Sequence, residues 1–207
     1  MQPPMILADA SRLREALARW CDAMEAASPE LNELDGRLGD GDLGATLSKC
    51  AANVREQLAQ PADSLEALLQ ACAKACAKAS GSSFGTLLAI GFMRAAKTSA
   101  SHEALDRDGV VELLTNVQEA ISARGGAATG DKTMLDSLDS IIGALRRCPP
   151  GTNAQVLKQV ARDAAQAAIE AFRERPNRVG RARMFAERSI GLDDPGMVAV
   201  RRMAEAL

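Results

Sequence analysis

Three carboxylates crowd one short stretch of this 207-residue chain. Asp35, Asp40 and Asp42 fall within Leu34-Asp35-Gly36-Arg37-Leu38-Gly39-Asp40-Gly41-Asp42-Leu43-Gly44, immediately before a segment of helical periodicity. Like charges about 4 Å apart repel by roughly 4 kcal/mol at an effective dielectric near 20, so converging aspartates demand a cation. Hard oxygen ligands from one loop suit Mg2+, which keeps part of its water shell and completes its octahedron with substrate phosphates. A helix opening at Leu43 adds free backbone amides and a positive dipole end, both attractive to phosphate. The same residues would also serve as an Asp/Gly-rich turn capping a helix, and the loop alone leaves both readings open. Two rival motifs fail. Gly39, Gly41 and Gly44 spell GxGxxG, yet no strand precedes them, and Asp40 and Asp42 would repel a pyrophosphate without metal. A calcium loop opening at Asp40 needs an oxygen donor at 44 and a glutamate at 51, where the chain has Gly44 and Ala51.

Three further segments bear on phosphate. Ser80-Gly81-Ser82-Ser83-Phe84-Gly85-Thr86 opens a helix with small residues whose amides could cradle oxygens, or simply caps it. Gly125-Gly126-Ala127-Ala128-Thr129-Gly130-Asp131-Lys132-Thr133 nearly spells a Walker A loop, but Asp131 interrupts it and its flanks are helical, so a P-loop fold is rejected. Gly125 and Gly126 could still lie along a base or ribose, with Met134 as an apolar contact. Arg175, Arg178, Arg181, Arg183 and Arg188 punctuate a long segment, and guanidinium forks match phosphate oxygens. Taken singly, each arginine fits a solvated basic loop as well. His102, the only histidine, stands in Ser99-Ala100-Ser101-His102-Glu103 and reads as a surface residue.

These segments need a scaffold, and the apolar spacing supplies one. Leu13, Leu17, Trp20, Met24 and Ala27 step by three and four, as do Leu43, Leu47, Ala51, Val54 and Leu58. The same period predicts eight helices, at 9–30, 43–60, 64–79, 84–98, 107–123, 132–147, 153–174 and 194–206. No segment alternates as a strand would, and abundant alanine with 2% aromatics favours closely packed helices. Short connections make successive helices antiparallel, which gathers the first, third, fifth and seventh loops at one end. Those loops hold Asp35–Asp42, Ser80–Ser83, Gly125–Gly130 and Arg175–Gly196, so all the unusual segments share one rim.

Composition bounds the rest. Residues 1–207 read as one domain. A formal net charge of -2 and a pI near 5.6 argue against nucleic acid as a partner. No 18-residue apolar run exists, so no membrane span is expected, and the first ten residues lack a secretory pattern, which places the protein in the cytoplasm. The five cysteines, an odd number with no CxxC pair, fit a reducing compartment, and Cys72 and Cys76 read as buried small apolar groups.

Three motifs in order, Leu34-Asp35-x4-Asp40-Gly41-Asp42-x-Gly44, Gly130-Asp131-Lys132-Thr133-Met134-Leu135-Asp136, and Glu187-Arg188-Ser189-Ile190-Gly191 with Asp194-Pro195-Gly196, resemble the L subunit of dihydroxyacetone kinase. The resemblance spans nearly the whole chain. It implies an all-α, eight-helix antiparallel up-and-down barrel with ATP or ADP and two Mg2+ ions at one rim, the metals held by Asp35, Asp40 and Asp42. It assigns nucleotide contacts to Leu43, Gly44, Ala45, Thr46, Ser80, Gly81, Gly126, Met134, Arg181, Asp194, Pro195 and Gly196, with Arg181 in the catalytic role. It further implies a separate K-type subunit that holds the substrate through a histidine, in keeping with the lack of a usable histidine here. Departures are Leu43, where relatives often have His or Cys, and Arg183-Met184, where they usually have Ser and Tyr. Gly41 before Asp42 resembles the branch that uses ATP directly. The alternatives are a subunit with permanently bound ADP served by a phosphocarrier protein of the phosphotransferase system, and a non-enzymatic nucleotide sensor.

Overall fold

The computed structural model describes residues 6–79 and 81–207, and of Arg181 and Phe185 the backbone alone. Eight helices follow in order: α1 (Ala10–Leu38), α2 (Leu43–Leu58), α3 (Leu65–Lys78), α4 (Ser83–Ser99), α5 (Arg107–Gly125), α6 (Met134–Arg147), α7 (Ala154–Phe172) and α8 (Pro195–Glu205). Two short 3-10 turns, Arg181–Phe185 and Glu187–Ser189, occupy the α7–α8 connection. Each helix packs against its sequence neighbours, and α8 returns to α1, so the all-α ring closes. Among the described residues no helix is long and apolar enough to cross a membrane.

The largest departure from the periodicity lies in α1, which continues eight residues past its expected end and carries Pro29 inside it. Proline removes one helical hydrogen bond and crowds the preceding turn. The apolar stripe nevertheless runs on: Leu31 and Leu38 are as buried as Leu17, Trp20 and Met24. Burying a leucine contributes about 1.5–3 kcal/mol, which offsets the loss of one bond. The extension moves Asp35 out of a loop and onto the last turn of a helix. A second departure is a two-residue antiparallel ladder, Ala8–Asp9 (β1) with Ala104–Leu105 (β2), tying the start of the chain to the α4–α5 connection. Segments this short make no alternation a sequence could display.

Small side chains set how closely the helices approach. Gly44 is packed so tightly on α1 that an added Cβ would sit 2.0 Å from the Ser28 carbonyl oxygen. One apolar cluster joins α1, α2, α3 and α8 through Leu31, Leu47, Val54, Cys72 and Met197. Another joins α5, α6, α7 and α8 through Ile121, Leu135, Ile142, Leu157 and Val200. The buried cysteines belong to the first cluster and are free, and burial pushes the Cys72 thiol up to about 12. They serve as small apolar groups.

Candidate functional site

Asp35, Asp40 and Asp42 meet. One carboxylate oxygen from each lies within 4.8 Å of the other two, with Asp40 and Asp42 exposed and Asp35 half-buried. Local backbone chemistry brings this about. Gly39 ends α1, where a Cβ would fall 2.5 Å from Asp35 Oδ1, and Gly41 turns the chain at φ +76. Asp35 Oδ2 then accepts from the backbone N–H groups of Asp42 (2.9 Å) and Leu43 (3.2 Å), so the same carboxylate caps α2.

A second cap comes from Asn32, whose Oδ1 accepts from Ala45 N at 3.0 Å. The amides of Leu43 and Ala45, expected to be free for phosphate, are therefore engaged within the chain. The first turn of α2 needs donors satisfied, and the extended α1 places two acceptors beside it. Leu43, Gly44 and Thr46 are buried, while Ala45 faces outward. Asn32 has no local sequence signature, because its partner lies 13 residues ahead across a helix boundary.

The starts of the even-numbered helices gather at this end. A Cβ on Gly85, in the first turn of α4, would lie 3.3 Å from Thr46 Cγ2 on α2. A Cβ on Gly196, in the first turn of α8, would lie 3.4 Å from the Phe84 ring of α4 and 3.6 Å from Met134 Cβ of α6. Four positive dipole ends thus share one rim with the acidic trio, as the alternation of loops anticipated. Gly81 is exposed at φ +124 ahead of α4, and Gly126, at φ +69, forms the exposed left-handed cap of α5. Met134, Asp194 and Pro195 are buried around Gly196. Ser80 lies outside the described residues. Arg181 begins the first 3-10 turn, which rests against α1, the helix that carries Asp35. Of the other arginines, Arg175 places its guanidinium 4.4 Å from the centre of the Phe172 ring, and Arg178, Arg183 and Arg188 are exposed. His102 is exposed in the α4–α5 connection.

Beside the rim lies a buried polar knot. Lys132 is wholly buried, and its Nζ donates to the carbonyls of Arg173 (3.0 Å), Arg175 (2.8 Å) and Ser189 (2.7 Å). Asn177 Nδ2 donates to Lys132 O and to Asp194 Oδ2, both at 2.8 Å. Asp194 Oδ1 accepts from Met197 N and so caps α8. Burial raises the Asp194 carboxyl to about 6 against the opposing pull of these hydrogen bonds and of Lys132. Burial likewise lowers the Lys132 ammonium, with Asp194 acting against it. Thr133 and Asp136 form a capping box that starts α6 two residues later than the periodicity suggested. Asp136 also accepts from Gly130 N, at 2.5 Å, closing the Gly130–Thr133 turn. The Thr-x-x-Asp spacing was a legible cap signal, whereas Asn177 and the burial of Lys132 had none.

This architecture defines a closed all-helical domain with an acidic rim able to take a divalent cation. Residues 37–207 match the DAK2 domain, and the chain belongs to that family. It is 28% identical, over 92% of each chain, to the PEP-dependent dihydroxyacetone kinase, ADP-binding subunit DhaL, of Escherichia coli K12. It is 32% identical to the D-erythrulose kinase of Mycolicibacterium smegmatis, covering 97% of this chain and 35% of that one. The crystal structure of the dihydroxyacetone kinase from C. freundii in complex with AMP-PNP and Mg2+ superposes with a TM-score of 0.74 at 26% identity, over 99% of this chain and 34% of that one.

Proposed function

We propose that this chain is the nucleotide-binding L subunit of a two-component kinase that passes phosphate from Mg-ATP to a hydroxyl of dihydroxyacetone or a similar short ketose. The observation that carries this reading is the convergence of Asp35, Asp40 and Asp42 at a rim that also collects four helix N-termini. Two Mg2+ ions held by the three aspartates would neutralise charge on the β and γ phosphates, and the rest of catalysis is positioning. Asp35 is held for this task by the α2 amides it caps. Leu43–Thr46, Ser80, Gly81, Gly126, Met134 and Asp194–Gly196 line the nucleotide's place, and Arg181 offsets charge on the transferring group. The acceptor hydroxyl comes from a K-type subunit that holds the ketose through its histidine. The reaction is cytoplasmic.

Support comes from the relatives, which include an ADP-binding subunit and a kinase solved with AMP-PNP and Mg2+. Titrating Mg-ADP into the parent and into Asp42→Asn tests the reading, because Asp42 donates no side-chain cap to α2 and its loss spares the core. Binding of unchanged affinity in the variant would overturn it. Mixing the chain with a K-type partner, ATP and dihydroxyacetone separates a kinase half from a nucleotide sensor. ADP that survives dialysis and is rephosphorylated only by a phosphocarrier would replace ATP as the direct donor.

A further inference from the structure

The lysine of the near-Walker loop takes no part in cradling phosphate, and its surroundings say what it does. Its ammonium is shut inside the protein, and its three donors are met by carbonyls of residues 173, 175 and 189, at both ends of the arginine-bearing segment. Three carbonyl oxygens converging on a buried cation, with a carboxylate close behind, reproduce the donor set of a structural metal site with the cation tethered to the chain. Lys132 also has φ 62, the only positive φ of a non-glycine among the described residues. Such a backbone persists only where its surroundings over-determine it. Here they do: Asn177 holds the Lys132 carbonyl, Asp131 O accepts from Arg178 N, and Asp136 closes the turn on both sides.

We propose that Lys132 is a positioning residue, a tethered cation that folds the 173–191 segment onto the Gly130–Thr133 turn and so sets the arginines of that segment at the rim. Without the ammonium, three carbonyls lose their common donor, and the segment's two ends are left with the Gly191 N–H to Arg173 carbonyl bond (2.9 Å), the Asn177 N–H to Ser189 Oγ bond (2.9 Å) and the Arg173–Asp193 ion pair as their ties. The pinning of the segment stands on the Lys132 contacts alone. Its consequence for nucleotide rests on the reading of the rim as a Mg-nucleotide site.

The segment carries its own reporter, since trypsin cuts after Arg178, Arg181, Arg183 and Arg188. Lys132→Met keeps the length of the side chain and removes the charge. Cleavage within 178–188 is expected to accelerate about tenfold or more, and the dissociation constant for Mg-ADP to rise by a similar factor, while Mg2+ alone binds as in the parent. Lys132→Ala with added propylammonium supplies the missing atoms, and resistance to trypsin should return with amine concentration. Cleavage and Mg-ADP affinity both within about twofold of the parent would overturn the proposal. So would a Lys132→Ala chain that stays unfolded, or stays equally cleavable, whatever the amine concentration, because the residue would then serve the core as a whole. A parent chain that binds no Mg-ADP, with accelerated cleavage in the variant, would sink the nucleotide reading and leave the tether standing.

Discussion

Two corners of the rim handle charge in opposite ways. In the acidic corner, three groups of one sign meet within 4.8 Å and two of them face solvent. In the polar knot, a cation and a carboxylate are buried together, and the Lys132 ammonium donates to three carbonyls. The first corner gathers acidic groups at the surface, whereas the second carries its cation on a side chain. An exposed acidic cluster suits the metal and phosphate of the proposed function, and a compensated, buried cation is a fastening. On the proposed function, the place for metal and phosphate would lie next to the fastening of the segment that carries Arg181.

The sharpest way to break the comparison is to remove one charge from the acidic corner. Asp42→Asn is expected to weaken Mg-nucleotide binding at least about a hundredfold, measured by titration calorimetry, because a hard divalent ion loses one of three anionic ligands. Its melting temperature should stay level or rise, since a repulsion is relieved. A variant with intact binding and a fallen melting temperature would make this corner a structural turn.

Gly44→Ala attacks the packing beneath the same corner. The new methyl would collide with backbone at Ser28, so a loss of about 3 kcal/mol in denaturant unfolding is expected, with nucleotide binding weakened as the aspartates are pushed apart.

The knot responds to pH. Asp194 binds its proton more tightly when folded, at about 6, than in the unfolded chain, where an aspartate titrates near 3.9. Between these values the native state holds more protons, so this residue's contribution to stability falls as pH rises from about 4 to 6, by at most roughly 3 kcal/mol. Urea unfolding of the parent and of Asp194→Asn across that range should differ in slope accordingly, the variant losing this component. The smallest effect belongs to Thr133→Ala, which opens the α6 capping box and should cost about 1 kcal/mol while leaving Mg2+ binding in the acidic corner untouched.

The chain's own pattern was enough to reveal eight helices, the antiparallel alternation that gathers odd loops at one end, and the acidic trio. It was enough because helical periodicity and clustered like charge are local properties, written within a dozen residues. The end of α1 was not local: whether a helix survives Pro29 depends on what the residues beyond it bury against, and Leu31 joins a cluster with side chains of α2 and α8. From that one decision follow the placement of Asp35 on a helix and the capture of amides expected to be free. With the P-loop rejected, nothing local gave Lys132 a role, because only carbonyls some 40 and 57 residues away reveal it. Sequence alone thus showed which charged groups cluster, and tertiary structure decided which of them are turned outward and which are spent holding the fold, since solvation is a property of surroundings and not of residue type.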